Sequence, residues 1–307
     1  MTAPQPLPEG ARDGQTIAGT ARLIALANFV KLPHTVFALP FALVGVLLAS
    51  TVAPVSWRAL GWVIVAFTSA RFAAMGVNRI VDREIDAANP RTAMRELPRG
   101  LLSVRDAVTA TVAMTVLFIV AAWQLNPLCL WLSPVALAWV FGYSYTKRFT
   151  RWSHLVLGVG IAIAPVGGYL AITGSWSAPV WMLLVLASAV AAWVAGFDIL
   201  YALQDVAFDA RFGLHSIPST LGDVSAFRIA RVLHAWTVIA LALVGWVTVR
   251  GAWWYAGVAL TAALLLYEHR LVRPGDLRRL DAAFFTMNGI ISLTFFGCAL
   301  LDRMVGR

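Results

Sequence analysis

Asn78, Asp82 and Asp86 recur at steps of four residues, directly after the apolar run from Gly61 to Val77. On an α-helix that step turns about 400° and climbs roughly 6 Å, so each side chain drifts only about 40° from the last and all three share one face. A second set, Asp198, Asp205 and Asp209, also follows an apolar run and falls within about 40° of a common helical face. Carboxylates and an amide, with no His or Cys among them, are hard oxygen donors that select magnesium over zinc or copper. Magnesium keeps several waters and is usually held by one or two carboxylates plus substrate phosphates, so two such sets suit a pyrophosphate clamped through metal. Arg83, Arg91, Arg95, Lys147 and Arg148 are available for the remaining phosphate charge. The bland alternative is a pair of solvated helix ends with local ion pairs. One segment alone fits that alternative as well as the other; two segments with the same i, i+4 Asp pair fit it worse.

The elements that must position these groups are membrane spans. Hydrophobic residues make up 60% of the 307 and charged residues 13%, with a mean hydropathy of +0.77, a composition outside the soluble range. Apolar segments near 23–51, 57–80, 104–123, 128–146, 153–173, 178–198, 226–248, 252–268 and 281–302 predict an all-α integral membrane protein of nine transmembrane helices. A polar cytoplasmic segment, 1–22, precedes a single membrane domain, 23–307, and no removable signal peptide is evident. With the N-terminus cytoplasmic, nineteen Lys and Arg lie in or beside cytoplasmic connections and four on the other side, which is a positive-inside distribution. Both acidic sets then face the cytoplasm. The formal charge of +9 is spread over inter-helix loops rather than gathered in a patch, which argues against nucleic acid. Pro33 and Pro40 predict a kinked or broken first span. Cys129 and Cys298 form no close-spaced pair and are expected to be packing residues, and the thirteen tryptophans suit interfacial belts.

At the acidic segments the sequence resembles the UbiA superfamily of intramembrane aromatic prenyltransferases. The first family motif, Asn-Asp-x-x-Asp-x-x-x-Asp, is matched by Asn78, Asp82 and Asp86, with Arg79 in place of the usual second-position Asp. The second is matched by Asp198, Tyr201, Asp205 and Asp209, continuing into Gly213, His215 and Ser216, where many relatives carry Lys instead of His. Arg91-Thr92 and Arg95, then Tyr145, Lys147 and Arg148, also fit the pattern. The resemblance implies helices around a central cavity, Mg²⁺ held by Asn78, Asp82, Asp86, Asp205 and Asp209, and transfer of a prenyl group from prenyl diphosphate to an aromatic acid. The sequence looks most like the hydroxybenzoate-type branch, with a menaquinone subgroup of the futalosine route inside it, so ubiquinone and menaquinone biosynthesis, and benzoate and dihydroxynaphthoate acceptors, both stay open. The implied location is the bacterial-type inner membrane with the site facing the cytoplasm.

Arg71 precedes Asn78 by seven residues, on the same face and about 10 Å deeper. An Arg at that depth requires a polar cavity or a partner; reading the acceptor's carboxylate with its guanidinium fork is one role, an ion pair with Asp198 or snorkelling the alternative. Tyr201 either stabilises an allylic cation or packs. Asp198 binds substrate, receives a proton or makes a structural hydrogen bond. His215 contacts diphosphate or caps a loop. His34, His154, His234 and His269 have no metal-binding spacing and are expected to be structural. An ion-coupled carrier of a small anion is the main non-enzyme alternative, though the acidic residues sit at span ends rather than mid-bilayer. A phosphatidyl-alcohol transferase would need Asp-Gly-x-x-Ala-Arg, which is missing.

Overall fold

Apolar runs of this length satisfy their backbone groups in a bilayer by winding into helices, and the chain is all-helical throughout its described part. The computed structural model describes residues 22–31, 35–273, 277, 280 and 286–306. Helices α1 (Arg22–Phe29) and α2 (Thr35–Ala49) replace the first expected span with a broken one, and α2 runs through Pro40. The expected kink at Pro33, His34 and nearly all of segment 1–22 lie outside the described residues. The next helices are α3 (Trp57–Val81), α4 (Arg83–Ala88), α5 (Val104–Leu125), α6 (Pro127–Thr146), α7 (Ser153–Thr173) and α8 (Trp181–Tyr201). After a 3₁₀ turn (Ala202–Asp205) come α9 (Val206–Arg211), α10 (Ile217–Leu221), α11 (Asp223–Val247), α12 (Ala252–Leu271) and α13 (Asn288–Val305).

Seven helices among the described residues are long and apolar enough to cross a membrane, against nine expected spans. The two that differ have physical reasons: α2 is the shortened half of a broken span, and α12 ends on Glu268, His269 and Arg270, which cut into its apolar run. The chain is a multi-pass membrane protein.

Lipid tails are as apolar as leucine, so helices here associate through close packing rather than exclusion from water. Glycine permits that approach at two seams: a Cβ at Gly45 on α2 would strike the Pro165 carbonyl of α7, and one at Gly158 on α7 would strike the Ala191 carbonyl of α8. The most enclosed helix is α8, with 61% of its apolar stretch buried against 17% for α5 and for α6. The core around it holds Phe41, Trp193, Trp254 and Phe295, with Phe41 against Trp193 at 4.9 Å and Trp254 edge-on to Phe295 at 5.0 Å between ring centroids. Two polar contacts tie this core: Trp254 Nε1 donates to the Leu241 carbonyl at 2.9 Å, and the Asp302 carboxylate on α13 caps the start of α12 by accepting from Gly251 and Trp254 N–H. Exposed Trp57, Trp123, Trp131 and Trp246 gather at the starts and ends of helices remote from the acidic segments, as an interfacial belt does.

Candidate active site

Each acidic set was expected on one continuous helix, and the structure corrects this. Helix α3 closes at Val81, Asp82 takes φ −95° and ψ 10°, and α4 restarts at Arg83. Hydrogen bonds from Asp82 N–H to the Asn78 carbonyl (2.9 Å) and from Asp86 N–H to the Asp82 carbonyl (2.7 Å) carry the four-residue register across the break. Asn78 Nδ2 accordingly still donates to Asp82 Oδ2 at 3.0 Å. In the second set the chain tightens to 3₁₀ between Tyr201 and Val206. Three residues per turn instead of 3.6 adds about 80° over four residues, which turns Asp205 off the line of Asp198 and toward the segment that follows α4.

That segment is where the two sets meet. Arg91 grips Asp205 with both arms, Nη2 to Oδ2 at 2.6 Å and Nε to Oδ1 at 2.9 Å, and Asn89 Nδ2 donates to Asp205 Oδ1 at 3.1 Å. Arg91 also reaches the Tyr201 hydroxyl at 3.3 Å, its guanidinium carbon 5.3 Å from the Tyr201 ring centroid. Arg95 pairs with Asp86 at 2.6 Å and Arg148 with Asp82 at 3.0 Å. Lys147, the cap of α6, lies within electrostatic reach of Asp82, Asp205 and Asp209 alike. The two acidic segments therefore occupy one mouth. Four carboxylates (Asp82, Asp86, Asp205, Asp209) face four cations (Arg91, Arg95, Lys147, Arg148). Among the described residues no three His, Cys, Asp or Glu side chains form a ready metal cage, and Asp82, Asp86 and Asp205 are each paired with an arginine.

Burial shapes the charges. It pushes the Asp82 carboxyl up from its ordinary range, against the hydrogen bond from Arg148 that pulls it down. Burial also opposes the Arg91 charge, but hydrogen bonding to Asp205 and that residue's charge more than offset it and raise the guanidinium above its usual value. Lys31, in the left-handed region at φ 47°, lies buried within electrostatic reach of the Arg95, Arg79 and Arg91 charges.

Beneath the mouth lies a cavity of about 920 Å³, walled largely by apolar residues of α3, α6, α7 and α8. This is the upper end of the size at which small-molecule sites occur. Arg71, Asn78, Arg79, Arg95, Asp198 and Tyr201 also line it. Arg71 is not paired with Asp198: its Nε is buried with no hydrogen-bond partner among the described residues, and Asp198 instead takes His154 Nδ1 at 2.7 Å. Arg79, standing where the family motif has Asp, is 3% exposed and turned toward Glu96, 4.0 Å away. Arg83 and His215 sit at the exposed rim, Arg83 paired with Glu84 at 2.9 Å, and His215 N–H donating to the Lys147 carbonyl at 2.7 Å.

Asn89, Lys31, Glu96 and His154 were missed in the sequence. Asn89 and Glu96 lie in a loop whose fold-back no periodicity encodes. A buried histidine has no spacing signal, and only its position at the start of α7, beside the end of α8 that carries the second motif, distinguished His154.

Over residues 38–290 the sequence matches the UbiA prenyltransferase family. The 4-hydroxybenzoate octaprenyltransferase of Aromatoleum aromaticum is 32% identical over 227 residues, 73% of this chain and 75% of that one. Its counterpart in Thiobacillus denitrificans is 31% identical over 249 residues, 81% and 82% of the two chains. Among solved structures, the apo UbiA homolog from Aeropyrum pernix aligns with a TM-score of 0.81 at 32% identity, covering 89% of this chain and 98% of that one. The UbiA homolog from Archaeoglobus fulgidus bound to GPP and Mg²⁺ shares the fold, with a TM-score of 0.71 at 20% identity over 91% and 99% of the chains. Fold and site define an intramembrane prenyltransferase. The chain belongs to the UbiA prenyltransferase family, which sets aside the ion-coupled carrier.

Proposed function

We propose that this prenyltransferase moves a polyprenyl group from prenyl diphosphate to an aromatic acid in quinone biosynthesis, with Mg²⁺, at the cytoplasmic face of a bacterial inner membrane. The observation that carries this is the convergence of both acidic segments at the mouth of the apolar cavity. The relatives, 4-hydroxybenzoate octaprenyltransferases, favour 4-hydroxybenzoate as acceptor, and the fold neighbour bound to GPP and Mg²⁺ supports the donor and the metal.

The donor set fits magnesium. Asn78, Asp82, Asp86, Asp205 and Asp209 offer only hard oxygens, and Asp209 Oδ2 is buried without a hydrogen-bond partner among the described residues. A magnesium ion held by these residues would neutralise diphosphate charge and make it a better leaving group. Arg91, Arg95, Lys147 and Arg148 take the phosphate oxygens, and Arg83 and His215 meet the diphosphate at the rim. The cavity walls keep water from the allylic cation as the C–O bond opens, and the Tyr201 ring stabilises that charge by about 0.5–2 kcal/mol. Arg71 forks the acceptor's carboxylate, and Asp198 faces the acceptor ring.

Purified protein incubated with Mg²⁺, geranyl diphosphate and either 4-hydroxybenzoate or 1,4-dihydroxy-2-naphthoate is expected to yield a prenylated acid by mass spectrometry and to stop on chelation. Diphosphate release without prenylated product, or turnover in excess chelator, would refute the proposal.

A further inference from the structure

His154 is the second residue of α7, has a fully buried side chain and stands between two neighbours. Its Nδ1 lies 2.7 Å from Asp198 Oδ2, and its Nε2 lies 3.3 Å from the backbone nitrogen of Ile217, the first residue of α10. A first-turn N–H has no partner inside its own helix and can only donate. Nε2 is therefore the acceptor, and the ring proton sits on Nδ1, where it donates to Asp198. Asp198 is left with one oxygen, Oδ1, that has no protein partner among the described residues, and Asp198 lines the cavity.

The segment that sets this tautomer is itself tied to the mouth. Leu214 N–H donates to the Asp209 carbonyl at 2.9 Å and His215 N–H to the Lys147 carbonyl at 2.7 Å, while Ser216 and Ser219 close a capping box at the start of α10. Gly213, at φ 66°, makes the turn between α9 and this strap. One short stretch thus touches the second acidic set, the cation shared by both sets and, through His154, the carboxylate in the cavity.

We propose that His154 is a positioning residue for prenyl transfer, holding Asp198 with Oδ1 presented to the acceptor ring and linking that carboxylate to the 212–222 strap. This rests on the reading of Asp198 as the group that faces the acceptor. In the step it serves, a bond forms between the allylic carbon and a ring carbon as diphosphate leaves with the C–O electron pair. The C–H bond at that ring carbon then breaks, its electrons restore the aromatic ring, and the proton passes to Asp198 Oδ1. No further reactant is needed.

Two amide replacements separate the ring's two contacts. The asparagine amide nitrogen takes the place of Nδ1 and still donates to Asp198; the longer glutamine places its amide near Nε2 and leaves Asp198 without its donor. With Mg²⁺, geranyl diphosphate and 4-hydroxybenzoate, His154→Gln is expected to lose roughly a hundredfold in kcat, with the diphosphate KM within about threefold, whereas His154→Asn keeps kcat within about tenfold. Equal impairment of the two, wild-type rates in His154→Gln, or the reverse order overturns the positioning role, the reverse order being what anchoring of the strap alone would give. Asp198→Asn separates the layers: wild-type turnover there defeats the reading of Asp198 itself, and loss of turnover with an active His154→Gln defeats only the role of His154. If neither histidine variant folds, ¹⁵N-histidine NMR of the unaltered protein decides. A proton on Nδ1 of His154 supports the proposal and a proton on Nε2 overturns it.

Discussion

Arg91→Ala would take away the guanidinium that holds both oxygens of Asp205 and leave that carboxylate with Asn89 and the charge of Lys147. Removing one partner of a buried ion pair costs about 3–5 kcal/mol, because the other charge stays behind in a poor solvent. The side chains of Arg91 and Asp205 are 17% and 8% exposed and Asn89 still donates, so the lower end applies, about 3 kcal/mol. For a chain of this size that corresponds to a fall of roughly 5–10 °C in melting temperature. The freed carboxylate is a better seat for a divalent cation, and a cation at a hundred times its Kd returns about 2.7 kcal/mol. Tryptophan fluorescence melts of the detergent-purified protein, in chelator and in Mg²⁺, measure both quantities. The expected pattern is a lower Tm for the variant in chelator and a larger rise with Mg²⁺ than in the parent. A variant that melts like the parent in chelator, or gains no more than the parent from Mg²⁺, refutes the reasoning that Asp205 alternates between arginine and metal.

Arg71→Ala should raise the acceptor KM roughly 10–100-fold, the equivalent of a charged hydrogen bond, while sparing the diphosphate KM; steady-state kinetics with an unchanged acceptor KM would remove Arg71 from the binding site. Gly158→Val drives a side chain into the Ala191 backbone and is expected to cost about 1–3 kcal/mol, read as a lower Tm; a parent-like melt would mean that α7 and α8 are not in the close contact described. Because burial raises the Asp82 carboxyl above its unfolded value, the folded chain keeps that proton to higher pH, and ionising it lowers stability as pH rises through the ordinary carboxylate range and beyond. In chelator, Asp82→Asn should therefore melt above the parent at neutral pH, the gap closing as pH falls below that range, and an Asp82→Asn protein that melts lower at neutral pH contradicts this.

Periodicity carried seven of the nine expected spans and the four-residue acidic register from Asn78 to Asp86, because both are local consequences of helix geometry. It misplaced Asp205 for the same reason: a helical wheel assumes 100° per residue, and the chain takes a tighter turn at Ala202–Asp205, where Arg91 and Asn89 hold Asp205. Charge logic found Arg71, since an arginine deep in an apolar run requires an explanation. It misassigned the alternative partner, because the histidine that takes Asp198 lies 44 residues away on another helix. Lys31 was counted for topology alone; its place in the cavity wall depends on a break between α1 and α2 that composition only hinted at.

The length of α3 has a consequence for how a lipid substrate is handled. Its 25 residues extend about 37 Å, while the hydrocarbon layer is about 30 Å thick. With Trp57 anchored at the far boundary, Asp82 emerges among the lipid headgroups and Arg71 stays roughly 10 Å below them. Under the proposed function, an isoprenoid diphosphate would react in the posture it already has in the leaflet, its ionic end in the wet layer and its tail in oil.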